Sequence, residues 1–175
     1  GLGEHELRRR AKIINYALLY GKTAFTLAKD IGVTQQAAQE FINAYFAGFA
    51  SVRQFIDTLL ATARETGVVK TMFGRRRYLP ELGSGNPRVR AIGERQALNA
   101  PIQGAAADIM KLALINVDRA LRDQRLGTRI ILTVHDELVL EVPEPERETA
   151  AQIVQREMTG AADLKVPLEV DISFG

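Results

Sequence analysis

The chain has 175 residues, 46% hydrophobic and 25% charged, a composition that suits an ordinary soluble globular protein of one or two small domains. Zero cysteines exclude disulfides, thiolate zinc sites and cysteine nucleophiles, and two histidines are too few for a histidine-rich cage, so any metal must be held mainly by carboxylates. No apolar run approaches the roughly 20 residues that cross a bilayer, and the charged start GLGEHELRRRAK is unlike a signal peptide; a cytoplasmic setting is expected. The net charge is only +2, but it is unevenly spread. Arg8, Arg9, Arg10 and Lys12 crowd one segment, and Lys70, Arg75, Arg76, Arg77, Arg88, Arg90 and Arg95 face only Glu81 and Glu94 in the next. Such patches suit a polyanion.

In chain order, Glu6 to Leu19 reads as a helix closing on Gly21, and a shorter helix runs from Ala24 to Ile31 before Gly32. Thr34 caps a third helix with Ala38, Phe41, Ile42 and Tyr45 on one stripe, and Ser51 caps a fourth that ends at Gly67. Val68 to Met72 and Arg76 to Leu79 read as a hairpin. The loop-like ELGSGNP, Glu81 to Pro87, divides the chain into residues 1–86 and 87–175. Beyond it, Pro87 to Leu98 predicts a helix ending before Pro101, because proline disfavours the helical conformation in the residue preceding it. A second helix is expected over Ala105 to Gln124, then a hairpin with strands 129–134 and 138–142, a helix over 145–158 and a last strand over 166–172. The fold class is α+β, mostly helical.

Arg8, Lys12, Tyr16 and Tyr20 are four residues apart, so on a helix they drift by only about 40° per step and form one stripe roughly 18 Å long. Guanidinium and ammonium at one end can hold phosphates, and phenol rings at the other can stack on a sugar or base. A solvated basic helix start with core tyrosines would have the same spacing. The charge opposes the helix dipole, so it is not there to stabilise the helix. Further on, apolar flanks surround His135-Asp136-Glu137, so a tight turn would thrust two carboxylates from an otherwise buried strand pair. A plain surface turn tolerates the same residues. A rigid tip carrying hard oxygen ligands nevertheless suits phosphoryl transfer by two metal ions.

The run Arg8-Arg-Arg-Ala-Lys12-Ile-Ile-Asn-Tyr16-Ala-Leu-Leu-Tyr20-Gly21 resembles motif B of family A DNA polymerases, the bacterial polymerase I type, at every defining position. The resemblance implies that Arg8 and Lys12 contact the triphosphate of an incoming dNTP, that Tyr16 packs on its sugar, and that Tyr20 lies near the templating base beside Gly21. Tyrosine at 16 resembles members that tolerate a sugar lacking its 3′-hydroxyl. Lys12 would also protonate the leaving pyrophosphate. Val134-His135-Asp136-Glu137-Leu138 resembles motif C, which makes Asp136 a Mg2+ ligand, Glu137 a secondary carboxylate and His135 a neighbour of the primer terminus.

Phe73 to Pro80 and Glu94 to Asp108 also resemble family segments; there Arg77 and Arg95 would meet phosphates of a primer-template duplex, and Asn99 and Gln103 would reach its minor groove. Together the motifs imply template-directed nucleotidyl transfer with two Mg2+ ions, by a helical fingers subdomain over 1–86 and the C-terminal part of an antiparallel-sheet palm over 87–175. A complete member would also supply a motif A strand with the other metal-binding aspartate, the rest of the palm and a thumb. The chain alone is therefore expected to be inactive. A competing reading is a helix-turn-helix DNA-binding module centred on 24–46, since Ala28 and Gly32 stand at its turn, but a recognition helix from Thr34 would offer few base-reading groups beyond Gln35 and Gln36.

Overall fold

The computed structural model describes residues 4–175. Six helices and two antiparallel ribbons appear among them: α1 (Glu4–Leu19), α2 (Ala24–Ile31), α3 (Gln35–Gly48), α4 (Ala50–Thr66), β1 (Val68–Lys70), β2 (Arg76–Tyr78), α5 (Pro87–Asp123), β3 (Arg129–Val134), β4 (Glu137–Glu141) and α6 (Arg147–Thr159). The α+β, mostly helical class is as expected. The chain divides into two compact units, Gly1–Gly104 and Ala105–Gly175, each with its own apolar core. Their boundary lies inside α5.

In the first unit the caps do what the sequence suggests. Thr23 and Thr34 accept hydrogen bonds from the amides of Thr26 and Ala37, three residues on, and Gly32 and Gly67 close α2 and α4 with positive φ. Ala17, Leu27, Ala28, Ile31 and Ala38 bury one face each of α1, α2 and α3, and Ala63, Val69, Leu79, Leu82 and Ala97 form a second cluster where α4, β1 and α5 meet. Ser51 is not the cap of α4. Phe49 both ends α3 and begins α4, its carbonyl accepting from Val52 and Arg53, so Ser51 already lies in the first turn. In the hairpin, Thr71 Oγ1 accepts from the Phe73 and Arg75 amides, and Gly74 takes a φ of 83°.

A larger correction concerns Pro101. The two helices expected on either side of it are one 37-residue helix that runs straight through. Proline removes one helical hydrogen bond and strains the preceding turn at a cost of about 3 kcal/mol. Packing offsets this: Ala97 and Leu98 are buried just before it, Ala100 packs on the second cluster, and the Gly104 carbonyl accepts from Arg75 at 2.7 Å. Tertiary contacts on both sides thus override a local preference.

In the second unit, Val117 and Leu121 of α5 pack against Ile153 and Val154 of α6, with Ile130, Leu138 and Leu140 of the hairpin laid on them. The register pairs Val134 with Glu137, so Glu137 begins β4 and only His135 and Asp136 form the turn. The strands are also less buried than expected, with Ile131 60% and Leu132 55% exposed, because only one face of the ribbon meets the core. The strand expected over 166–172 does not form. Leu168 and Val170 are half-buried between exposed neighbours, the right alternation, but a strand needs a hydrogen-bonded partner, and β3 and β4 pair only with each other among the described residues. Helix α6 starts slightly later than expected, after a 3-10 turn over Glu144–Glu146.

Candidate functional site

Helix α1 buries Ala17 and Leu18 with Ile13 and Ile14 against its unit, which turns the other side outward. Arg8, Lys12 and Tyr16 are exposed there and Tyr20 is half-buried. Lys12 Nζ stands 6.0 Å from the Tyr16 ring centroid, and the Tyr16 and Tyr20 rings stack at 6.0 Å with 20° between their planes. A cation followed by two parallel rings therefore lies along the solvent face, as the four-residue spacing required. The side chains of Arg9 and Arg10 lie outside the described set.

The helix ends in a double hydrogen bond, Lys22 amide to Ala17 carbonyl at 2.8 Å and Gly21 amide to Leu18 carbonyl at 3.2 Å, with Gly21 at φ 68°. A Cβ at Gly21 would stand 2.8 Å from Leu98 Cδ1. Glycine is thus required twice at this position, for its backbone conformation and for the close approach of α5. Next to Leu98 begins the amide stripe. Because α5 is unbroken, Arg95, Asn99 and Gln103 fall on one side of it over about 12 Å. Arg95 and Gln103 are exposed, while Asn99 is half-buried with its Oδ1 sealed from solvent and without a hydrogen-bond partner among the described residues. Arg77 is exposed on β2 and reaches Gln96 Oε1 at 3.4 Å.

In the second unit Asp136 and Glu137 are exposed at the hairpin tip, and His135 turns the chain with a φ of 52°. A positive φ is uncommon for a residue with a side chain, and a two-residue turn that requires it aims the following carboxylate outward. Hard carboxylate oxygens on a rigid tip suit Mg2+, but no group of three or more His, Asp or Glu among the described residues is placed to hold a metal ion.

Two contacts were invisible in the sequence. Arg75 reaches the Gly104 carbonyl, and the Glu146 carboxylate accepts from Gly127 and Thr128. Each joins residues far apart in the chain, so no local spacing signals them. The Glu146 carboxylate is held below the usual carboxylate range, by the Thr128 hydroxyl first and then the Gly127 amide, with burial opposing and the Thr128 amide adding least.

The model of DNA polymerase family A matches residues 3–175, and the chain belongs to that family. Among curated relatives, DNA polymerase I of Mycobacterium tuberculosis is 48% identical over 170 residues, and that of Pseudomonas aeruginosa 50% over 168. The alignments take in 97% and 96% of this chain but only 19% and 18% of those proteins, so the chain spans about a fifth of their length. A solved structure, the POL domain of Pol1 from M. smegmatis in complex with DNA primer-template and dNTP, superposes with a TM-score of 0.89 at 49% identity, covering 94% of this chain and 29% of that one. The family match runs through residues 24–46, so the helix-turn-helix shape of α2 and α3 is part of the polymerase segment and not a separate module. Among the described residues no helix is long and apolar enough to cross a membrane.

Proposed function

We propose that this chain is the nucleotide-binding and C-terminal part of a DNA polymerase that extends a primer 3′ end from dNTPs on a template. The observation that carries it is the line of exposed Arg8, Lys12 and Tyr16 and half-buried Tyr20 ending on Gly21, in a chain matched almost end to end by the family. Arg8 forks to triphosphate oxygens, Lys12 adds a point charge and donates a proton to the pyrophosphate leaving group, and Tyr16 packs on the sugar. Tyr20 and Gly21 lie beside the templating base. Arg77 and Arg95 hold duplex phosphates, Asn99 and Gln103 face the minor groove, and His135 stands by the primer terminus.

Asp136 would hold Mg2+, with Glu137 near it, together with donors supplied from outside this chain. Bound there, a metal would supply positive charge that favours phosphoryl transfer. The remaining residues bind, orient and exclude water as α1 closes on a paired nucleotide. Residues 1–86 correspond to the fingers and 87–175 to the end of the palm in this reading, and the protein works in the cytoplasm, where dNTPs and DNA are.

Support for a larger body comes from apolar residues left in water. Ile131, Leu132, Val134 and Val139 of the hairpin and Leu112 and Ile115 of α5 are all exposed, more than a free domain of this size comfortably shows. The rest of the polymerase, with its other metal-binding aspartate and thumb, would cover them. The test compares primer extension by the purified chain with that of a polymerase containing it. The chain alone should show none, and the complete enzyme should lose about 100-fold or more on Asp136→Ala or Lys12→Ala. Tyr16→Phe should leave ordinary synthesis intact and sharpen rejection of dideoxynucleotides. Extension unaffected by Asp136→Ala would overturn the reading.

A further inference from the structure

The tip of the β3–β4 hairpin is only as well aimed as its open end is held. Gly127 and Thr128 lead into β3 and the Glu144–Glu146 turn follows β4, so the two connections meet at the end of the ribbon opposite Asp136. There the Glu146 carboxylate accepts three hydrogen bonds. The Gly127 amide donates to Oε1 at 2.7 Å, and the Thr128 amide and hydroxyl donate to Oε2 at 2.8 and 2.7 Å. Thr128 is 4% exposed, so neither of its donors has water as a substitute, and a buried donor left unmet is costly. The same donors stabilise the ionised carboxylate and keep it charged at neutral pH.

Packing alone does not fix the ribbon. Within this chain Ile130, Leu138 and Leu140 rest on the core through one face, the other face is exposed, and the ladder carries an irregularity between Ile130 and Leu132. A bulge bends and twists a ribbon, which makes its direction depend on how the base is anchored. We infer that Glu146 is a positioning residue, locking both connections at the open end of the hairpin and so setting where the ribbon presents Asp136.

Geometry gives the size of the effect. Strand β3 has six residues and extends about 20 Å, so a swing of about 3° at its base moves the tip by about 1 Å. A misplacement of about 1 Å can cost on the order of 100-fold in a reaction that depends on alignment. Glu146 sits at the end of the ribbon opposite the tip, so its influence runs through the ribbon.

The inference rests on the proposed role of Asp136 in nucleotidyl transfer, and the experiment separates the two. In the complete polymerase, Glu146→Gln, Thr128→Val and Thr128→Ser are compared by single-turnover nucleotide incorporation per active site and by hydrogen exchange across the hairpin. Glu146→Gln should lower the maximal rate by about tenfold or more. It should leave nucleotide Kd within about twofold, since the lost alignment matters only in the transition state. Exchange of the Val134–Leu138 amides should quicken. Thr128→Val should show a smaller loss, and Thr128→Ser, which keeps the hydroxyl, should match the parent. A rate per active site that is unchanged while only thermal stability falls would make Glu146 a structural clamp and overturn the inference, as would unaltered exchange at the tip. If the parent polymerase extends no primer, the functional reading fails by itself, and exchange at the tip still decides whether the clamp controls the ribbon.

Discussion

Gly21 shows how a single position can serve the backbone and the packing at once. Its positive φ closes α1, and the absence of a Cβ lets Leu98 approach. Gly21→Ala should cost on the order of 2 kcal/mol, from the strained conformation plus repacking of a buried leucine methyl. Denaturant unfolding measures this, and an unchanged midpoint would show that α1 ends differently. Glu146 makes a prediction of a different kind. Its pKa is depressed in the folded state, so its contribution to stability is present above the ordinary carboxylate value and is lost as pH falls through the lower, folded value. The stability difference between the parent and Glu146→Gln should therefore be largest near neutral pH and shrink in acid. Unfolding curves at neutral pH and near pH 4 test the sign.

Among the elements, α5 best separates what was legible from what was not. The capped helices were legible because Thr23, Thr34, Gly32 and Gly67 act on their immediate neighbours. The Arg8 to Tyr20 stripe was legible because helical spacing is also local. Continuity through Pro101 was not, since it depends on Ala97, Leu98 and Ala100 meeting residues from elsewhere in the chain. Ser51 failed as a cap for a related reason: the tight corner at Phe49 shifts the start of α4 by two residues, which propensity does not resolve. The strand expected over 166–172 had the right alternation but found no ladder among the described residues. Pro101→Ala gives the proline a direct test. It restores an amide and removes a ring clash, so it should raise unfolding stability by about 1–3 kcal/mol. A loss of stability instead would mean that the surrounding contacts are built to the proline ring.

At the scale of the molecule, the two units keep separate cores, and both leave apolar side chains in water. The isolated chain should bind a hydrophobic dye strongly at neutral pH, and the complete polymerase should bind much less per mole. Equal dye binding by the two would show that the hairpin and α5 faces stay uncovered in the larger protein. The candidate site residues were named from spacing and resemblance alone. What could not be read was how they are held: Gly21 against Leu98, Glu146 beneath the hairpin and Arg75 at Gly104 all depend on partners distant in the chain.

The unbroken α5 sets a rule for anyone recombining such segments. Inserting or deleting one residue between Arg95 and Gln103 would rotate one end of the stripe against the other by about 100°, sending the two groups to different sides of the helix. The ELGSGNP loop carries no such phase and can change length with far less consequence. The count of residues along that helix therefore matters as well as their identities, and if these side chains hold a duplex as proposed, a chimera that keeps each of them but miscounts the spacing should bind primer-template more weakly.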